Sequence, residues 1–226
     1  MKTNKILYLL PLLCIMLLSA TPTRMGEPQI DLAAFVRQTQ IMKNSGNHIK
    51  LTWWIPTDYW EIALKDNPDV SPSQVSAIVS ALEDYVLVCA ANLESDGSGS
   101  LKKTSEADLR KGLSLLDENG KKYLPLEEDD IDAGALAIAG SVKPMFSKML
   151  GDVGKGMHLY FFKVQSGGKN LIHAGEKGNF TIVHSETEFK WELPLPILMP
   201  AKICPVDQAE MQGNWNYCPI HGNKLD

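Results

Sequence analysis

The chain has no basic runs. Its 22 Lys and Arg stand against 27 Asp and Glu, for a formal net charge of −5. That balance argues against nucleic acid and against anionic membrane surfaces as partners. Catalytic signatures are missing too. There is no G-x-S-x-G, no H-E-x-x-H and no phosphate-binding P-loop. No internal repeat is evident, and after the N-terminus no apolar segment approaches spanning length. Cysteine is sparse, with four in 226 residues.

What is present begins with Met1-Lys2-Thr3-Asn4-Lys5, which carries two lysines and no acid. An apolar run follows from Ile6 to Leu18, then Ser19-Ala20. These are the three regions of a secretory signal. Residues 1–20 are therefore expected to be removed after Ala20, and the product is expected to be secreted or periplasmic, with no membrane span. Cys14 follows the bulky Leu12-Leu13 inside the run, which argues against lipidation. Export leaves Cys89, Cys204 and Cys218 in an oxidising compartment. Three is odd, and Cys89, inside Tyr85–Ala91, reads as a small buried residue. Residues 21–196 are expected to form the main domain, and 197–226 a small C-terminal module.

Periodicity sets the elements of the main domain. Asp31 can cap a short helix to about Gln38. Ile49, Leu51, Trp53 and Ile55 share one face of a strand that Pro56 ends. Asp58 and Glu61 suggest a helix from 58 to about 65. Ser71-Pro72-Ser73-Gln74 is a capping box, with Val75, Ile78, Val79 and Leu82 on one face of the following helix. Tyr85–Ala91 reads as a central strand, with a longer helix as its rival. Glu94–Ser100 reads as a flexible loop and 105–110 as one or two helical turns. Leu113–Leu116, Asn119-Gly120 and Tyr123-Leu124 suggest two strands and a turn. Ile138, Val142, Met145 and Met149 mark a helix over 131–150, with a kink or a break into two helices expected at Pro144. Short strands follow near 157–162, 171–173, 180–183 and 189–193. The expected fold is α+β: an antiparallel β-sandwich or large sheet with packed helices and a small ribbon-like end.

Site signals concentrate at the C-terminus. Cys204-Pro205-Val206-Asp207 is followed, after ten residues, by Cys218-Pro219-Ile220-His221-Gly222. This resembles a zinc ribbon, a family built from two C-P-x-C-G knuckles, each followed by an apolar residue. The second knuckle matches, with His221 at the second ligand position. The first has Asp207 at that position and Gln208 where glycine is usual. The resemblance covers about the last 23 residues and implies a structural zinc held by Cys204, Asp207, Cys218 and His221. Four protein ligands leave no open position for catalysis. The alternative is a Cys204–Cys218 disulfide. Thiolates sharing a tetrahedral zinc lie about 3.8 Å apart, and a bridge closing about 15 residues is worth about 3 kcal/mol.

Other candidates are weaker. Trp53, Trp54 and Trp60 offer a ligand platform, because Trp53 and Trp54 point to opposite faces of a strand and one can be exposed. His158, His173 and His184 fall on strand-like stretches and can meet only through the fold. Glu127-Glu128-Asp129-Asp130 reads as solvated charge ahead of a helix, with calcium a remote option. The glycine-rich 151–156 stretch follows a helix and reads as a turn. Asn179-Phe180-Thr181 is a glycosylation sequon. The functional expectation is an exported, non-enzymatic binding or structural module. The alternative is a cell-envelope hydrolase, which requires a cleft holding at least two of the three histidines and the acidic run.

Overall fold

The computed structural model describes residues 30–96, 101–166 and 169–226. The expected signal lies outside these residues, as do the Gly97–Ser100 part of the Gly/Ser loop and the Gly167-Gly168 turn. Helix α1 spans Leu32–Thr39, and its N-cap Asp31 accepts from Ala33 N–H at 2.9 Å. Strands β1 (Gln40–Ser45) and β2 (His48–Ile55) form a hairpin, and Pro56 ends β2. Helix α2 then runs Thr57–Leu64, with Pro56 as its N-cap rather than Asp58. Helix α3 is Pro72–Leu82. Ser71 N–H donates to Gln74 Oε1 at 2.7 Å, so the capping box read from sequence is formed.

Residues 86–95 then form β3 (Val86–Ser95), a strand and not a continued helix. Its run of apolar residues is what a strand covered on both faces requires. It absorbs part of the expected loop and pairs with β4 (Leu101–Lys103). Helix α4 (Glu106–Gly112) and the pair β5 (Leu113–Leu116) and β6 (Lys122–Tyr123) follow as expected. The acidic run is a 3-10 turn at Glu128–Asp130.

Helix α5 spans Ala133–Lys155. Its only break in helical geometry is at Gly151, with φ of 56°, so the kink expected at Pro144 is corrected. Proline's fixed φ is itself helical, so Pro144 costs a backbone hydrogen bond without leaving helical geometry, whereas Gly151 adopts a left-handed φ that other residues rarely tolerate. Beyond it, a Cβ on Gly154 would lie 1.9 Å from Phe146 O, so only glycine fits where the chain folds back.

Strand β7 (His158–Phe162) and the small hairpin β8 (Gln165–Ser166) and β9 (Lys169–Asn170) precede β10 (Gly178–His184) and β11 (Thr187–Leu193). All pairings are antiparallel. One sheet runs β1-β2-β3-β4, with β7 also paired to β3. The second runs β11-β10-β5-β6. The sheets pack face to face through Trp54, Val88, Tyr160 and Phe162 on one side and Leu115, Phe180, Ile182 and Trp191 on the other. Trp54 meets Phe180 edge-on at 4.8 Å between ring centroids. The outer face of the first sheet carries Leu51, Trp53, Ile55, Leu87 and Phe161, covered by α2, α3 and α5. The fold is α+β in three layers: helices, a five-stranded sheet and a four-stranded sheet.

The β10–β11 hairpin turns on Ser185 and Glu186, with φ of 47° and 66°. A two-residue turn with both φ values positive suits Asn-Gly, and no such dipeptide marks this one. Glu186→Gly is expected to stabilise the chain by about 1 kcal/mol, the scale of the left-handed penalty it removes. An unchanged urea midpoint would contradict this.

Candidate metal centre

The last residues fold apart from the three layers. After a 3-10 turn at Pro196–Leu198, β12 (Lys202–Ile203) pairs with β13 (Glu210–Met211). A second, smaller hairpin is closed by the Tyr217–Lys224 bridge. Each hairpin tip is a cysteine knuckle, and the two share one backbone design. In the first, Gln208 N–H donates to Cys204 O at 2.9 Å, and Cys204 N–H donates to Ala209 O at 2.9 Å. In the second, Gly222 N–H donates to Cys218 O at 2.8 Å, and Cys218 N–H donates to Asn223 O at 2.8 Å. The fourth residue after each cysteine is left-handed, with φ of 62° at Gln208 and 68° at Gly222. The seventh is a buried apolar side chain, Met211 or Leu225.

The two knuckles read from sequence, 204–211 and 218–225, thus share one turn geometry. Because Gln208 holds a glycine conformation, Gln208→Gly is expected to stabilise the module by about 1 kcal/mol. Slower amide exchange across 203–211 is the measurement, and faster exchange would refute it.

The knuckles bring their side chains together. Cys204 and Cys218 are buried free thiols. His221 Nδ1 lies 3.4 Å from Cys204 Sγ and 3.6 Å from Cys218 Sγ. The ligand atoms of Cys204, Cys218 and His221 all lie within 4.8 Å of one another, so these three residues can hold a metal ion. Donors on a tetrahedral ion with bonds of about 2.3 Å to sulfur and 2.0–2.1 Å to nitrogen sit about 3.6 Å apart. The sulfur–nitrogen spacings match that separation.

Asp207 stands beside this trio. Its Oδ2 is 3.8 Å from His221 Nδ1, and its Oδ1 accepts from Ala209 N–H at 3.1 Å. The Cys204 thiol, then the Ala209 N–H, hold the Asp207 carboxyl below its ordinary pKa. At Cys218, burial acts to raise the pKa. The backbone N–H groups of His221 and Ile220, together with the Cys204 and His221 side chains, outweigh it and bring the thiol down to about 7. The His221 N–H reaches Cys218 Sγ at 3.4 Å. Burial leads at Cys204 and leaves its thiol raised. A site with one thiolate forming near neutrality and a carboxylate already ionised suits a divalent cation.

Other sequence candidates separate. Trp53, Trp54 and Trp60 are 8%, 1% and 2% exposed, which corrects the platform expectation: both faces of β2 are covered, so neither indole is free. Cys89 is fully buried in β3, where burial pushes its thiol up. His173 is exposed, its Nε2 2.8 Å from Asn170 O. His184 is buried between the sheets, its Nδ1 3.3 Å from Thr52 Oγ1. His158 is half-buried on β7, where burial and then Lys143 hold its pKa below the usual value. It lines a cleft of about 380 Å³ with Glu128 of the acidic run, Glu106, Arg110 and Lys143. The histidine cluster is therefore not assembled. One histidine and one acid of the required set, His158 and Glu128, do share a cleft, a juxtaposition that needed the tertiary structure because the 3-10 turn and β7 are separate in sequence.

No helix among the described residues is long and apolar enough to cross a membrane. Comparison with protein-family models, curated proteins and solved structures finds no match.

Proposed function

We propose that the protein is an exported, non-enzymatic binding module whose C-terminal end is locked by a structural zinc ion. Cys204, Cys218 and His221 supply three ligands, and Asp207 supplies the fourth. The observation that carries the metal reading is the pair of matching knuckles converging on His221 Nδ1 at 3.4 and 3.6 Å from two sulfurs. The residue chemistry suits zinc, which accepts thiolate, imidazole and carboxylate in one tetrahedron. With all four positions filled by protein, the ion's role is to fold the module. The binding role draws on the strand-rich three-layer body and on the cleft beside β7.

Native mass spectrometry of the processed chain tests the metal. One zinc retained under mild conditions and lost to a chelator is expected. A mass about two hydrogens lighter, with no metal and reversal by reductant, would establish the Cys204–Cys218 disulfide instead. The second reading, a cell-envelope hydrolase, draws on His158 and Glu128 lining one cleft. A broad hydrolase screen giving turnover that His158→Ala abolishes would favour it over the binding reading.

A further inference from the structure

The cleft beside β7 has a specific construction. Its floor is a strand edge. β7 pairs with β3 only, leaving its other side without a strand. Phe161 O accepts from Leu126 N–H at 2.8 Å, so the Phe161 backbone points away from β3. Alternation then points the N–H and C=O of Leu159 the same way. Among the described residues, no backbone group bonds to either. Both line a cleft of about 380 Å³, within the range of sites that bind small ligands or peptide segments.

The walls differ in character. On the face carrying Leu159 and Phe161 stands α5, which presents Leu136, Ala139, Gly140 and Lys143 along one stripe. On the face of His158 and Tyr160 stands α4, with Glu106 and Arg110, and Glu128 lines the same cleft, leaving Lys143 as the cation that no ion pair among the described residues engages. Both walls are fixed. Arg110 Nε bonds Glu106 Oε1 at 3.2 Å, and its Nη1 bonds Leu126 O at 2.9 Å. Tyr85 Oη donates to Asp132 Oδ2 at 2.7 Å, pinning the start of α5. Lys143 is exposed at the rim, and none of the ion pairs among the described residues includes it.

We propose that this edge is a docking groove for an extended segment of another protein chain. The segment adds as a strand along His158–Phe161, with an apolar residue toward α5 and a carboxylate toward Lys143. An unpaired edge supplies backbone hydrogen bonds, and alternate side chains supply specificity. Leu126 already makes the first contact of such a strand, and an incoming segment continues the line where Leu126 leaves it. The inference rests on the reading of the chain as a binding module and names the partner's chemistry.

A phage-displayed library of random seven-residue peptides, panned on the full chain, tests it. The selected sequences are then synthesised and titrated. Gly140→Trp fills the groove, and a Cβ at this position meets no atom within 4 Å. It is expected to weaken binding at least 10-fold with the melting temperature preserved. Methylating the peptide amide that donates to Leu159 O is expected to weaken binding about 10-fold, and methylating the other amides to change little. Lys143→Glu is expected to weaken acidic peptides selectively. Should Gly140→Trp misfold, Leu159→Pro deletes the outward N–H without removing a bond to β3.

Peptides that bind Gly140→Trp or Leu159→Pro as well as the parent would overturn the groove. So would the absence of any enriched peptide, equal losses wherever the peptide is methylated, or a dimer that Gly140→Trp dissociates, which would make the occupant a second copy. Each of these is distinguishable from failure of the binding reading itself, which would show as turnover in the hydrolase screen.

Discussion

Cys218→Ser is expected to abolish zinc retention and to unfold the chain beyond about residue 200, leaving the three-layer body intact. The module's own core is four buried side chains, Cys204, Met211, Cys218 and Leu225, and two of these are proposed ligands. So small a core cannot hold itself together. Structural zinc contributes about 10–16 kcal/mol of apparent binding free energy in comparable peptides at neutral pH. Losing a thiolate removes most of that and leaves nothing to replace it. Cys204→Ser is expected to act alike. Asp207→Ala is expected to weaken zinc at least 10-fold, since it removes the proposed fourth ligand, the carboxylate 3.8 Å from His221 Nδ1. Amide exchange resolved along the chain is the measurement. The variants should lose protection across 202–225 and keep it in β2, β3 and β10. Cys218→Ser protein that still carried one zinc, with 202–225 protected, would refute the assignment.

Acid is expected to weaken the body through His184. Its side chain is fully buried, and its Nε2 has no hydrogen-bond partner among the described residues. Protonation would place a charge there with no acceptor. Lys50, whose Nζ is fixed on Ser185 O and Thr187 Oγ1 at 2.8 Å each, adds repulsion. Burial, and then Lys50, lower the imidazole pKa to about 4 from the ordinary 6.5. Between those values the unfolded chain binds the proton and the folded chain does not. Stability from the neutral imidazole is therefore full above about pH 6.5 and is lost as pH falls toward 4. The loss by pH 4 is about 3 kcal/mol. His184→Leu removes the titrating group. Denaturant melts of both proteins from pH 7 to pH 4 should show the parent losing about 3 kcal/mol more than the variant. Parallel curves would contradict this account.

Much of the secondary structure was legible because short-range physics fixes it. Asp31 and the Ser71–Gln74 box start helices by satisfying backbone N–H groups from nearby side chains. Alternation in Phe189–Leu193 marks a strand with one face turned to a core. The apolar run at Val86–Ala91 marks a strand covered on both sides. Pro144 misled because its fixed φ is itself helical, and the residue that leaves helical geometry is Gly151. Trp53 and Trp54 misled because alternation tells which face a side chain takes, not what covers that face. The hairpin at Ser185-Glu186 was not announced, since its left-handed residues are imposed by the flanking strands.

The same division holds at the chain's end. The sequence alone determined the ligand types and their spacing, because a knuckle is a local turn whose cysteine lies three residues before its partner. Convergence was a matter for the tertiary structure. Two hairpins had to bring Cys204, Cys218 and His221 within reach of one point, and Gln208 had to adopt the left-handed conformation that Gly222 takes in the second knuckle. The groove on β7 was decided by the fold alone. Which edge of a sheet stays open depends on strand order, and strand order is set by packing between residues far apart in the chain.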